Sequence, residues 1–283
     1  MEIYYEIAGV RIRVTSEKKL FDSHGILEGF VTAAGDYDYS YNVEIVSVLP
    51  PPKGELYYSD AAMSIYSSDG AVMRYSGGDG SKALSCLVNR GRDRELYFSA
   101  SRLFEGVTPK LLLAALELEH LLVSHGAVLL HASYIEHNGK AILFTAPSET
   151  GKSTQAELWC RYAGASLVNG DRAAIIMRDG AALACGVPFS GSSSVRRNVT
   201  APIKAIVYLE QSKENRVTRL NGSRAFMRVW EGCTVNVWYP EDIYSATKCL
   251  EKIVSQTPIF HLACRPDAEA VETLKKIMEA EQC

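Results

Sequence analysis

The chain has 283 residues, of which 47% are hydrophobic and 22% are charged, a composition typical of a globular protein with a substantial core. The formal net charge of −3 argues against a nucleic-acid-binding protein, which normally carries a strong basic excess. No run approaches the roughly 18 uncharged apolar residues of a membrane span, and residues 1–6 lack the basic start and apolar core of a signal peptide. The seven cysteines form no C-x-x-C pair, which indicates free thiols in a reducing cytoplasm rather than a zinc site or a disulfide framework.

Residues 1–105 predict a β-rich N-terminal domain. Short runs rich in β-branched and aromatic residues, separated by turn residues, predict strands over 11–15, 41–48, 56–58, 71–75 and 95–98. A helix is then predicted to begin with Thr108 as its cap and Pro109 in its first turn, and to end at Gly126. Its leucines recur at helical spacing, which indicates core packing. This helix opens the second predicted domain, residues 106–283, in which strands and helices are mixed.

An antiparallel hairpin is predicted early in the second domain. Its strands cover residues 128–135 and 140–145, and the Asn138-Gly139 pair between them is a strong turn signal. Ordinary parallel nucleotide-binding folds have a crossover helix at this point instead. Residues 155–161 then have helix-forming composition, with a break at Gly164. Farther along, strands over 203–209 and 258–263 and helices over 241–256 and 267–281 are predicted as scaffold.

The loop between the hairpin and the following helix has the pattern of a phosphate-binding loop. The pattern consists of a strand, a loop ending in Gly-Lys-Ser and a helix. In this arrangement the backbone N–H groups of the loop surround phosphate oxygens at the positive end of the helix dipole. Lys152 is expected to reach the outer phosphates, and the Ser153 hydroxyl to complete the coordination of Mg²⁺. The residues expected to bind a nucleoside triphosphate are Ala146, Pro147, Ser148, Glu149, Thr150, Gly151, Lys152, Ser153 and Thr154.

Two positions of this loop depart from the full pattern. Ala146 stands where the pattern has glycine, which alanine can replace only if its φ stays negative, and Glu149 stands where many such loops have glycine. The alternative interpretation is an ordinary strand, turn and helix whose Lys152 is simply solvated. The flanking elements favour the phosphate loop.

Four residues outside the loop are candidates for the chemistry of phosphoryl transfer. Asp171 follows a short apolar strand and is expected to bind Mg²⁺ or to accept the proton of an acceptor hydroxyl, unless the preceding Asn-Gly pair merely makes a turn. His131 lies within a predicted strand, where it is either a core histidine or a catalytic residue. Arg196 and Arg197 follow a loop rich in serine and glycine; they either clamp a phosphate or an anionic substrate, or form a solvated basic pair.

Residues 125–280 resemble the catalytic domain of HPr kinase/phosphorylase, whose fold is similar to that of phosphoenolpyruvate carboxykinase. The resemblance rests on His131, the Gly-Lys-Ser loop at Lys152 and the acidic Asp171. It implies an α/β phosphate-loop domain, ATP and Mg²⁺ as cofactors, catalytic roles for these three residues, and Ser153 and Asp171 as metal ligands. The family has two adjacent aspartates where this chain has Gly170 and Asp171, and its metal-binding glutamate has no counterpart in residues 186–197. The chain is therefore expected to lack the phosphorylase half of the family's activity.

The sequence thus predicts a cytoplasmic ATP- and Mg²⁺-dependent kinase with an α/β catalytic domain behind a β-rich domain. The acceptor implied by the resemblance is a serine hydroxyl of a small protein or peptide. Two alternatives stay open: a kinase for a small-molecule alcohol, and a nucleotide-binding scaffold or sensor without transfer chemistry. No nucleic acid or membrane partner is expected, and the sequence leaves room for a homo-oligomer.

Overall fold

A computed structural model of the protein describes residues 1–68, 70–78, 80–191 and 193–281, so that Asp69, Asp79, Ser192, Gln282 and Cys283 lie outside the described residues. The chain divides into two compact units, residues 1–118 and 119–283. The sequence predicted a boundary at 105/106; the difference is that the first helix belongs to the first unit. None of the described helices is long and apolar enough to cross a membrane.

One mainly antiparallel sheet builds the first unit. Its strands, in the described part of the chain, are β1 (Glu2–Ile7), β2 (Val10–Thr15), β3 (Val31–Thr32), β4 (Tyr39–Val46), β5 (Glu55–Ser59), β6 (Met63–Ser68), β7 (Ala71–Ser76), β8 (Ser85–Asn89) and β9 (Asp93–Ser99). They are ordered β3-β1-β2-β4-β9-β8-β7-β6-β5, and β4 pairs in parallel with both β2 and β9. Strands thus dominate the segment for which the sequence predicted a β-rich domain.

The helix predicted from Thr108 to Gly126 is interrupted. Helix α1 (Pro109–Ala115) begins as predicted, with the Thr108 hydroxyl accepting a hydrogen bond from the Leu111 N–H at 3.2 Å. The backbone then takes a left-handed turn at Glu117, φ +52°, before α2 (Leu118–Ser124). The buried Glu117 carboxylate lies 3.3 Å from the Arg74 guanidinium. A buried charge requires such a partner, and we infer that this ion pair holds the break in the helix.

The second unit is a mixed α/β structure. Its strands are β10 (Ala127–His137), β11 (Lys140–Thr145), β12 (Ser166–Asn169), β13 (Arg172–Arg178), β14 (Ala181–Gly186), β15 (Thr200–Gln211), β16 (Arg216–Leu220), β17 (Cys233–Thr234) and β18 (Ile259–Cys264). Its other helices are α3 (Lys152–Ala163), α4 (Gly222–Trp230), α5 (Pro240–Gln256) and α6 (Ala268–Ala280). The mixed α/β class predicted for this segment is confirmed.

The candidate site lies at one edge of the sheet, where three parallel strands end. β10 and β11 form the predicted antiparallel hairpin, while β11 pairs in parallel with β15 and β15 in parallel with β18. The carboxyl ends of β11, β15 and β18 therefore meet at one edge of the sheet, which is where ligands bind in open α/β sheets. One sheet face packs its apolar side chains against α4 and α5, and the other packs against α3 and α6.

Candidate active site

The predicted phosphate loop connects β11 to α3 at this edge. Gly151 precedes the first residue of α3 with φ +112°, a conformation that favours glycine. Ala146 is not among the residues with positive φ, so alanine fits the position where the pattern has glycine. Glu149 is exposed and has φ +64°, a left-handed conformation that glycine would adopt more readily. The loop between β11 and α3 therefore holds Glu149 in a strained backbone conformation.

The side chain of Lys152 folds back onto this loop. It is 7% exposed, and its ammonium group donates hydrogen bonds to the carbonyl oxygens of Ala146 at 3.0 Å and Pro147 at 3.1 Å. Burial lowers the pKa of Lys152, and the negative charge of Asp171 opposes that shift. The next two residues, Ser153 and Thr154, are exposed at the start of α3. The lysine charge thus lies inside the loop and close to the Asp171 carboxylate.

His131 and Asp171 lie side by side next to this lysine. The Nδ1 atom of His131 is 3.5 Å from Oδ1 of Asp171. Burial lowers the pKa of His131, the charge of Lys152 lowers it further, and Asp171 acts in the opposite direction. The neutral form of the imidazole is therefore favoured. The structure brings together the three residues for which the sequence predicted catalytic roles.

Asn169 positions Asp171. Its side chain is fully buried, and its Oδ1 accepts hydrogen bonds from the N–H groups of Asp171 at 2.8 Å and Arg172 at 3.0 Å. Its Nδ2 donates to the carbonyl oxygens of Val187 at 2.9 Å and Phe189 at 2.6 Å. The Asn-Gly turn considered as an alternative from the sequence is therefore present. This turn holds Asp171 beside His131, so the turn interpretation and the site interpretation are compatible.

Gly170 cannot be replaced by a larger residue without movement. A Cβ atom at this position would lie 2.3 Å from Oγ of Ser193. Gly191 lies against Asp171 from the same loop, since a Cβ there would be 3.3 Å from the Asp171 Cβ. The space beside Gly170 is thus filled by the hydroxyl group of Ser193.

The structure does not bring the two candidate arginines to the other candidate residues. Nη1 of Arg196 donates hydrogen bonds to Oγ of Ser190 at 3.0 Å and to the carbonyl of Ser194 at 2.9 Å. Arg197 is exposed, and its charge acts on Cys160 of α3. Within the part of the chain that the structure describes, neither arginine forms a hydrogen bond or ion pair with Lys152, His131 or Asp171. The arginine nearest the carboxylate is Arg172, whose Nε is 3.3 Å from Oδ2 of Asp171.

Arg228 is a further candidate residue, which the sequence did not predict. It lies on α4 and, with residues 147–150 of the loop and residues 208–211 at the end of β15, lines a cleft of about 460 Å³. Its guanidinium lies 4.6 Å from the ring centroid of Tyr208 and donates to the Tyr208 hydroxyl at 3.2 Å. The sequence pattern that indicates α4 is the helical spacing of two apolar residues, Ala225 and Val229, which the helix buries.

The family model described as SynChlorMet cassette protein ScmC matches residues 113–268, more than half of the chain. The chain therefore belongs to the ScmC family. No curated protein matches the sequence. Among solved structures, the HPr(Ser) kinase/phosphatase from Coxiella burnetii is similar, with a TM-score of 0.33 and 12% sequence identity over 54% of this chain and 97% of that one. A structural likeness of this size carries no argument about activity.

Proposed function

We propose that the protein is a kinase that transfers the γ-phosphoryl group of ATP, with Mg²⁺, to a hydroxyl group, and that the acceptor is a serine of a small protein or peptide. The observation that carries the proposal is the buried ammonium group of Lys152, turned inward onto a loop at the start of a helix and close to a carboxylate. A polyphosphate can replace the two carbonyl oxygens as the partner of this charge. The serine acceptor is motivated by the sequence resemblance to HPr kinase/phosphorylase.

The loop supplies the groups that bind phosphates. The N–H groups of the first turn of α3 have no partners within the helix, and the helix dipole favours negative charge at that end. Lys152 adds a full positive charge with little water around it, which strengthens its attraction to phosphate oxygens. Together these groups would hold the β- and γ-phosphates in line for attack.

Asp171 would accept the proton of the acceptor hydroxyl. As the acceptor oxygen bonds to the γ-phosphorus, the bond from that phosphorus to the β–γ bridging oxygen breaks, and ADP leaves with that oxygen. The hydroxyl proton passes to the Asp171 carboxylate. The neutral imidazole of His131, 3.5 Å from Asp171, can hold that carboxylate in place without adding a second positive charge beside Lys152.

The oxygen donors near the loop suit Mg²⁺. Magnesium binds proteins through one or two carboxylates and takes its other ligands from substrate phosphates and water. Asp171 would supply the carboxylate and Ser153 the hydroxyl, and the ion would neutralise charge that develops on the phosphates. Among the described residues, no group of three or more His, Cys, Asp or Glu side chains could hold a metal by itself.

A second candidate function is a nucleotide-binding sensor without transfer chemistry. The observation that favours it is the pair Gly170 and Ser193, because the space for a second carboxylate is filled. Labelled ATP distinguishes the two functions. A kinase transfers the label from the γ-phosphate to a serine peptide or another alcohol in the presence of Mg²⁺ and loses this activity in the Asp171→Asn variant. A sensor binds ATP and labels nothing, and a protein that does not bind ATP is neither.

A further inference from the structure

Helix α4 ends directly beside the candidate active site. The carbonyl oxygen of Gly232, which follows the helix, accepts a hydrogen bond from the His131 N–H at 2.7 Å. A Cβ atom on Gly232 would lie 2.5 Å from Oγ1 of Thr145, the last residue of β11. The end of α4 is therefore fitted closely between the two strands that carry His131 and the phosphate loop.

The exposed face of α4 forms one wall of a groove. Arg224, Met227, Arg228 and Glu231 are exposed and follow the spacing of a single helix face, while Ala225 and Val229 are buried on the opposite side. The groove has a volume of about 550 Å³ and is completed by Leu220 and His261. Arg228 also lines the cleft of the phosphate loop, so the groove and that cleft adjoin at this side chain.

The charges of the groove leave one cation unpaired. Glu231 is paired with Arg228 at 3.2 Å, and Glu210 is paired with His261 at 2.9 Å. Arg224 is exposed and forms no ion pair with any residue that the structure describes. Glu231, which lines the groove, is thus already paired, and Arg224 remains available to an anionic group from outside. Met227, 53% exposed, offers an apolar surface one residue from Arg228.

We infer that this groove binds the segment of the acceptor next to its hydroxyl, and that the acceptor is a peptide segment carrying acidic side chains. The inference deepens the proposed kinase function and depends on it. Arg224 would pair with an acidic side chain of the segment, Arg228 would guide the segment towards the loop, and Met227 would contact an apolar residue.

Helix geometry sets the spacing of the acidic residues. Arg228 and Arg224 precede Gly232 by about 6 and 12 Å along the helix, at roughly 1.5 Å per residue. An extended peptide covers about 3.4 Å per residue. The acidic side chains are therefore expected about two to four residues from the serine that is placed beside His131 and Asp171.

Two fluorescein-labelled peptides test this inference. Each has one central serine; the first carries glutamate at the positions two to four residues from it on both sides, and the second carries glutamine there. Fluorescence polarisation at low ionic strength should show the glutamate peptide binding about 5- to 10-fold more tightly, since each exposed ion pair contributes little. Arg224→Glu should abolish this preference and bind a matched lysine peptide instead.

Arg178→Glu is the matched control, because Arg178 is equally exposed and lies at the far end of β13 from Arg172. It should keep the preference for the glutamate peptide. Equal binding of the two peptides, or a preference that survives Arg224→Glu, would overturn the inference. ATP binding is measured on the same preparations. If the wild type fails to bind ATP, the kinase proposal falls; if the wild type binds ATP but shows no preference for the glutamate peptide, only the groove inference is overturned.

Discussion

The imidazole of His131 lies 3.5 Å from the carboxylate of Asp171, and the positive charge of Lys152 lowers the pKa of this histidine. The pairing of β10 explains this position: His131 is opposite Arg172 on β13, and the next residue, Ala132, is opposite Thr145 on β11. β10 thus changes partners between these two residues. The histidine therefore lies beside Asp171 and one residue from the pair that joins β10 to the end of β11.

The lowered pKa of His131 predicts a loss of stability in acid. Above about pH 6.5 the histidine is neutral in both the folded and the unfolded chain. As the pH falls below that value, the unfolded chain takes up a proton that the folded chain does not, so the free energy of unfolding decreases until the lowered pKa of the folded state is reached. Urea denaturation between pH 7 and pH 5 should show a smaller decrease for His131→Asn than for the wild type. The prediction is wrong if both proteins lose stability equally.

Asp171→Asn should separate binding from transfer. Asparagine has about the size of aspartate, and its backbone N–H can keep the hydrogen bond to Asn169. Its side chain cannot accept the hydroxyl proton. ATP should still bind, while phosphoryl transfer to the acceptor should fall by at least about 100-fold. Asp179→Asn, in an exposed turn after β13, is the control and should leave transfer unchanged. Wild-type turnover in the Asp171 variant would show that this aspartate is only a turn residue.

Asn169→Ala should destabilise the fold. The change removes hydrogen bonds to two N–H groups and two carbonyl groups, and each unsatisfied buried group costs about 1–3 kcal/mol. The free energy of unfolding should fall by roughly 3 kcal/mol or more, against no more than about 0.5 kcal/mol for the exposed control Asn198→Ala. Chemical denaturation measures both. A loss as small as that of the control would mean that Asn169 does not organise the turn.

Gly170→Asp should be tolerated only when Ser193 is replaced by a smaller residue. This change restores the paired aspartates of the resembling family. The new Cβ would lie 2.3 Å from the Ser193 hydroxyl oxygen, so the single variant should unfold at a lower temperature than the wild type. The double variant with Ser193→Gly should recover most of the difference, because the clashing atom is gone. If the second change gives no recovery in thermal unfolding, Ser193 is not the obstacle.

The elements next to the loop were predictable because each has a local signal. The Asn138-Gly139 turn joins β10 to β11 as expected, and Gly164 ends α3 in the left-handed conformation. The break at Glu117 depends instead on Arg74, a residue of a distant strand, and no local pattern reveals it. Helix α4 was not predicted because it begins at the glycine of an Asn-Gly pair, which is typical of a turn.

The positions of Lys152 and Asp171 in the candidate site were predictable, because the order of strands, loop and helix determines where each of them lies. A helix that follows a strand and a glycine loop places Lys152 near the end of that strand, and Asp171 follows a strand that pairs with β10. The surroundings of Arg196 depend on Ser190 and Ser194 in its own loop, which compete for its donors. Arg228 reaches the loop only through the packing of α4, which is a tertiary contact. The catalytic and metal-binding roles of these residues stay predictions.

The central claim is that the loop at Lys152 binds the phosphates of ATP, and calorimetric titration of ATP with Mg²⁺ tests it most directly. Lys152→Ala removes a charge-assisted contact worth about 1.5–3 kcal/mol, so the affinity should fall about 10- to 100-fold. Lys140→Ala, an exposed lysine at the opposite end of β11, should bind ATP like the wild type. Unchanged affinity in Lys152→Ala, in a protein that is folded and binds ATP, would contradict the account.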